Sequence, residues 1–106
     1  MSLIENAALN FSAKDPGETI KLTVGFASLL APNETIQSAT WTIERQGTTE
    51  DTATMLQGNA AVEGTDVSQW VKGGVHGGLY LHLARITTSA GRILVQGVRQ
   101  SVRKGA

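Results

Sequence analysis

Residues 79–88 read LYLHLARITT, an alternating run in which neither face is polar. Side chains along a strand point to opposite faces in turn. Tyr80, His82, Ala84 and Ile86 therefore share one face, and Leu79, Leu81, Leu83 and Arg85 share the other. A strand with one solvated face has no use for three leucines there. Both faces want cover, and either one can be the core face. The cover is the N-terminal arm or a loop of the same chain, or else a neighbouring subunit, since contiguous exposed apolar patches mark contact sites.

The chain then turns through Ser89-Ala90-Gly91 into residues 92–103, RILVQGVRQSVR. Three loop residues with glycine last form a common hairpin connection. Gly97, inside the second strand, marks a bulge or a close backbone approach. Upstream, residues 18–26 alternate cleanly, with Ile20, Leu22, Val24 and Phe26 on one face. Residues 36–45 put Trp41 and Ile43 on a common face, and residues 66–72 form a shorter strand ending at Gly73-Gly74. Weaker strands are expected at 53–57 and 60–63. Short strands at this spacing predict an all-β fold, a β-sandwich, over residues 12–103. An arm at 1–11, carrying Leu3, Ile4 and Phe11, precedes it and a tail at 104–106 follows.

A chain of 106 residues suits one domain, and 41% apolar against 17% charged side chains suffice for a core. No apolar run approaches the ~20 residues of a membrane helix. The opening MSLIENAALNF lacks the basic and apolar regions of a signal peptide, which predicts synthesis in the cytoplasm and no membrane partner. With no cysteine, disulfide frameworks and thiolate zinc sites are excluded. Charge is balanced overall but unevenly placed. Residues 1–66 hold all nine acids against Lys14, Lys21 and Arg45, a net of −6, whereas residues 67–106 hold six bases and no acid, a net of +6. Interleaved strands average this out; otherwise a basic face meets an acidic partner, such as another copy of the chain. A pI near 6.7 lacks the basic signature of nucleic-acid binding.

Catalytic constellations do not emerge from these residues. His76 lies in the turn GGVHGG and His82 within a strand, with no carboxylate at ligand spacing, so no metal site is assigned. His76-Gly77-Gly78 is similar to a lipase oxyanion loop, but no G-x-S-x-G elbow follows, and a turn needing positive φ explains the glycines. The carboxylate pairs Glu50-Asp51 and Asp15/Glu18 read as solvated turn charges rather than as an acid–base couple. Core packing is expected for both Trp41 and Trp70; a sugar-binding face built from Trp70, Asp66 and Gln69 is the competing use. No enzyme, cofactor or metal is predicted.

Two features resemble an immunoglobulin-like β-sandwich without the disulfide: Trp41, placed as a buried mid-sheet tryptophan, and Gly78-Leu79-Tyr80, placed as a tyrosine corner. A longer ordered set of motifs runs through residues 14–92. It comprises Lys14-Asp15-Pro16, Phe26-Ala27-Ser28-Leu29-Leu30, Ile36 with Ser38-Ala39-Thr40-Trp41, Trp70-Val71-Lys72-Gly73-Gly74, Gly77, Tyr80, Arg85-Ile86-Thr87-Thr88-Ser89 and Gly91-Arg92. This set resembles the phage fiber-tail adaptor proteins, whose pattern runs K-D-P, an aromatic-S-x-x-L stretch, S-x-T-W, W-x-x-G-G, G-x-Y and R-I-T-T-x-x-G-R. The chain departs from it at Ala27, where tryptophan is frequent, and at Val75-His76, where small polar residues are usual.

The resemblance implies a non-enzymatic structural protein of a tailed-phage virion, made in the host bacterial cytoplasm, that connects tail and fiber, or tail and head, by oligomeric contacts. Its partners would be other virion proteins of tail, fiber or connector and copies of itself, with no nucleic acid and no membrane. A capsid decoration or head–tail joining protein is the alternative within that class. A carbohydrate-binding module for host recognition is the alternative outside it. The interface is expected at Leu79, Leu81 and Leu83, with Arg85 continuing their face and Arg92, Arg99 and Arg103 forming a basic rim. Trp41 and Tyr80 are assigned to the core.

Overall fold

A computed structural model describes residues 10–49 and 51–106. The alternating segments become six strands: β1 (Thr19–Gly25), β2 (Ile36–Arg45), β3 (Leu56–Glu63), β4 (Asp66–Lys72), β5 (Leu79–Thr88) and β6 (Ile93–Ser101). They form two antiparallel three-stranded sheets, β1-β4-β3 and β2-β5-β6, in an all-β, sandwich-like arrangement. Each sheet draws strands from both the acidic and the basic part of the chain. The strand at 53–57 is replaced by a 3-10 turn over Ala53–Met55, which hands directly to a single strand, β3. The break expected between 57 and 60 survives as a register irregularity between Gln57 and Ala61, where Gly58 takes φ 78°.

The core lies between the sheets. β1 contributes Leu22 and Val24, β4 Val67 and Val71, β2 Trp41 and Ile43, β5 Tyr80, Ala84 and Ile86, and β6 Val98, with Phe26, Met55 and Val102 from the adjoining segments. Trp41 is 4% exposed and Tyr80 fully buried. Burying such aromatics removes 150–250 Å² each from water, provided their polar tips are bonded. Trp41 Nε1 donates to His82 Nδ1 at 3.0 Å, and the Val75 N–H donates to Tyr80 Oη at 3.0 Å. Gly78 is required beneath that tyrosine, since a Cβ there would stand 2.7 Å from the ring.

Leu3 and Ile4, with the rest of arm residues 1–9, lie outside the described residues. Asn10 and Phe11 belong to a segment that pairs parallel with β6, through bridges from Asn10 to Arg99 and from Lys14 to Val102. Phe11 stacks on Trp41 with ring centroids 6.2 Å apart and meets His82 edge-on at 5.4 Å. The last residues are tied back as well: the Lys104 N–H donates to His76 Nδ1 and the Gly105 N–H to Asp15 Oδ2. Among the described residues no helix is long and apolar enough to cross a membrane.

Candidate interaction surfaces

β5 is the central strand of its sheet, and its alternation resolves in one direction. Tyr80, His82, Ala84 and Ile86 are buried, whereas Leu79 and Arg85 are exposed and Leu81 and Leu83 half-buried. The leucine face is thus the outer one. The register places Leu81 between Glu44 of β2 and Arg99 of β6, and Leu83 between Thr42 and Gly97. Gly97 makes no bulge, since the β5–β6 register runs unbroken. Its missing side chain instead admits the two leucines, whose methyl groups would lie 3.2 and 3.4 Å from a Cβ there. Beyond them, Val95 and Ile93 stay about half exposed and prolong the apolar strip. The described part of the arm runs along the β6 edge, not across this face.

The basic rim is smaller than the sequence suggests. Arg99 stands on the leucine face and Arg85 continues it, but Arg92 does not belong to the face. It sits in the β5–β6 turn and grips Glu34 with two bonds, Nε to Oε2 at 2.9 Å and Nη2 to Oε1 at 2.5 Å, while Nη2 also donates to the Leu29 carbonyl at 2.9 Å. Thr88 Oγ1 adds a 2.6 Å bond to Glu34, which is 3% exposed at its side chain. Arg92 first and Thr88 next hold the Glu34 carboxyl down to about 2. That bidentate pair orients the guanidinium toward Glu34 and away from the leucine face. Arg103 follows the end of β6, exposed, with its N–H on the Lys14 carbonyl.

The separated motifs meet at the opposite end of the molecule. Lys14 is fully buried, and its Nζ donates to the Gly73 carbonyl at 2.7 Å and to the Asp15 carbonyl at 3.0 Å. Burial lowers its proton affinity, opposed by the Glu18 and Asp15 charges. Gly74 packs where a Cβ would come within 2.9 Å of Val102. The K-D-P, G-G and C-terminal segments therefore close one end of the sandwich as a clasp. Neither Lys14 nor Glu34 is marked in the sequence as a partner of anything, because their contacts lie 59 and 58 residues away.

Trp70 overturns the expectation of core packing. It is 49% exposed, on the outer face of β4. Asp66 shares that face by parity, but Gln69 is buried on the other, where its Nε2 donates to the carbonyls of Gly58 and Trp70, both at 3.0 Å. The three residues proposed to hold a sugar are thus divided between two faces. Two hollows, one between β1 and β6 and one between β2 and β3, are lined by amide, hydroxyl and apolar groups without a carboxylate, imidazole or amine. Asp15 and Asp51 cap local turns, accepting from the N–H groups of Gly17 and Ala53; Glu50 lies outside the described residues. Among the described residues no group of three or more potential ligands is placed to hold a metal.

A third hollow holds Asp51 as its one titratable side chain, so none of the three brings a catalytic pair together, and the exposed features are faces. The model of one protein family, described as podophage GP4 fiber-tail adaptor protein gp77, matches residues 14–99, from the buried Lys14 to Arg99 near the end of β6. No curated protein matches the chain.

Proposed function

The chain belongs to the podophage GP4 fiber-tail adaptor family, and from that premise we propose that it is a non-enzymatic structural component of a phage virion, joining fiber to tail through the outer face of β2-β5-β6. One observation carries the reading. β5 turns three leucines outward from a sheet whose inner face already supplies the core. Leu79, Leu81 and Leu83 form the apolar centre of the contact, and Arg85, Arg99 and Glu44 form its charged rim. Desolvating the leucines supplies affinity and slows dissociation, whereas the rim charges set association rate and salt dependence. The clasped end and the Arg92–Glu34 grip keep the face rigid, which lowers the entropic cost of docking. The partners are virion proteins of tail and fiber, with several copies of this chain in a closed symmetric arrangement. Neither nucleic acid nor membrane takes part.

Mixing the purified chain with the fiber and with the fiberless tail of the same virion tests this. The proposal expects a complex containing all three that does not form when the chain is omitted. A chain that binds neither component, or a fiber that attaches equally well without it, overturns the proposal.

A further inference from the structure

Trp70 stands unexplained by the leucine face, being on the opposite side of the molecule. It occupies the outer face of β4, the central strand of the first sheet, with Lys21 of β1 and Gln57 of β3 beside it in register. Toward one end of that face lies Lys72, opposite Thr19; toward the other lies Asp66, between Gly25 and Glu63. The row between holds Thr23, Ser68 and Ala61, with Ser68 only 3% exposed. Lys21 and Glu63 pair at 3.0 Å, reaching diagonally across that row. Asp66 and Lys72 have no ion-pair partner among the described residues.

This arrangement is complementary to itself. A two-fold axis lying in the plane of the face, across the strands, reverses the strand direction. It sets the cationic end of one copy against the anionic end of the other. Asp66 and Lys72 are six residues apart, about 20 Å at strand rise, and the midpoint between them falls at residue 69. Trp70 then lies about 3 Å from the axis, so the two indoles come side by side, each over the Lys21–Glu63 pair that covers the other copy's Ser68. Two sheets packed face to face at about 10 Å leave room for such a layer. An isologous contact of this kind needs one patch only.

We propose that the Trp70 face pairs with the Trp70 face of a second copy, with Lys72 of each chain meeting Asp66 of the other. The proposal deepens the adaptor reading by assigning self-association to one side of the sandwich and fiber or tail contact to the other. The face measures roughly 23 by 14 Å, from seven-residue strands about 4.8 Å apart. That falls short of the ~800 Å² per partner of a standard interface. The pairing is accordingly weak in free solution and takes hold where assembly raises the local concentration.

Sedimentation equilibrium of the free chain, from about 10 µM to about 1 mM, spans dissociation constants in the weak range expected of so small a contact. The average mass is expected to rise from 11.2 kDa toward twice that value. Asp66→Lys and Lys72→Asp should each weaken association at least tenfold, as should Trp70→Ala, with far-UV spectra unchanged. The double variant Asp66→Lys/Lys72→Asp should recover parental association, because both cross-pairs re-form with polarity reversed. A parent that stays monomeric throughout, a double variant that does not recover, or self-association lost with Leu81→Asp but kept with Trp70→Ala would each overturn the proposal. None of these outcomes touches fiber and tail binding, which the mixing experiment reads separately.

Discussion

His82 is fully buried between two fixed partners, accepting from Trp41 Nε1 at Nδ1 and facing Gln100 Oε1 from Nε2 at 3.1 Å. An Nδ1 that accepts leaves the proton on Nε2, so the ring is neutral and both bonds are made. Gln100 passes the chain on, its Nε2 donating to the Ser12 carbonyl at 2.9 Å. Burial pushes the imidazole down to about 4, only partly countered by Gln100. Folding therefore favours the neutral form. Its contribution is fully present above the unfolded value near 6.5 and is lost as pH falls from there toward 4, with an amplitude of roughly 3 kcal/mol. The urea midpoint should drop across that window, and His82→Gln should flatten the slope; an unchanged slope in the variant would refute the assignment. Trp41→Ala removes the ring that Phe11 and His82 pack against and should cost about 3–5 kcal/mol. Against a total of roughly 5–15 kcal/mol, that leaves a marginal fold, readable in a thermal melt.

Residue by residue, what could be read from the sequence depended on whether neighbours decide the outcome. Strand parity fixed which residues of β5 share a face without saying which face is inward. Tyr80, with Gly78 two positions before it and the Val75 N–H close enough in the chain to donate to its hydroxyl, carries enough local signal to be placed. Trp70 does not: bulk apolarity argues for burial, and only the register with Lys21 and Gln57 turns it outward. Lys14 and Glu34 were silent for another reason. Buried charges take their meaning from partners supplied by distant strands.

At the scale of elements, the β5–β6 hairpin was legible because its loop chemistry is local. Gly91 takes φ 84°, and the Thr88 N–H reaches the Arg92 carbonyl at 2.9 Å, closing the expected three-residue loop. The region from 53 to 63 was less legible, since Gly58 and Asn59 resemble a break between strands yet form an irregularity within one. The grip of Arg92 on Glu34 joins this hairpin to the connection between β1 and β2 and also holds the Leu29 carbonyl. Arg92→Ala leaves Glu34 with Thr88 and a turn N–H only. Faster amide exchange is expected at residues 29–35 while the β5 core amides keep their protection. Unchanged exchange at 29–35 would show that the connection is held without the grip, by its other bonds such as those between Thr35 and Ser89. Glu34 has its carboxyl held near 2. The grip therefore contributes above pH 4.5 and weakens as pH falls from there toward 2, so exchange at residues 29–35 should also rise in the parent, on top of the stability lost to His82 protonation.

At the scale of the molecule, the charge division between the two parts of the chain dissolves in the topology. β4 inserts between β1 and β3, and β5 between β2 and β6, so each sheet mixes both parts. What remains is a rigid slab with two dissimilar outer faces, one apolar strip and one polar face around an indole. Such a slab can touch different neighbours on its two sides, as a joint between virion proteins must. On the proposed reading the outward leucines hold a partner and not the fold. Leu81→Asp tests it most directly, because Leu81 is the middle leucine, already flanked by Glu44 and Arg99 on a partly solvated face. The variant's thermal melt and its ability to bridge fiber to tail are measured side by side. The melt should stay close to that of the parent, with bridging abolished. A collapsed melt would mean that the leucines belong to the core, and an unaltered melt with full bridging would mean that the contact lies elsewhere.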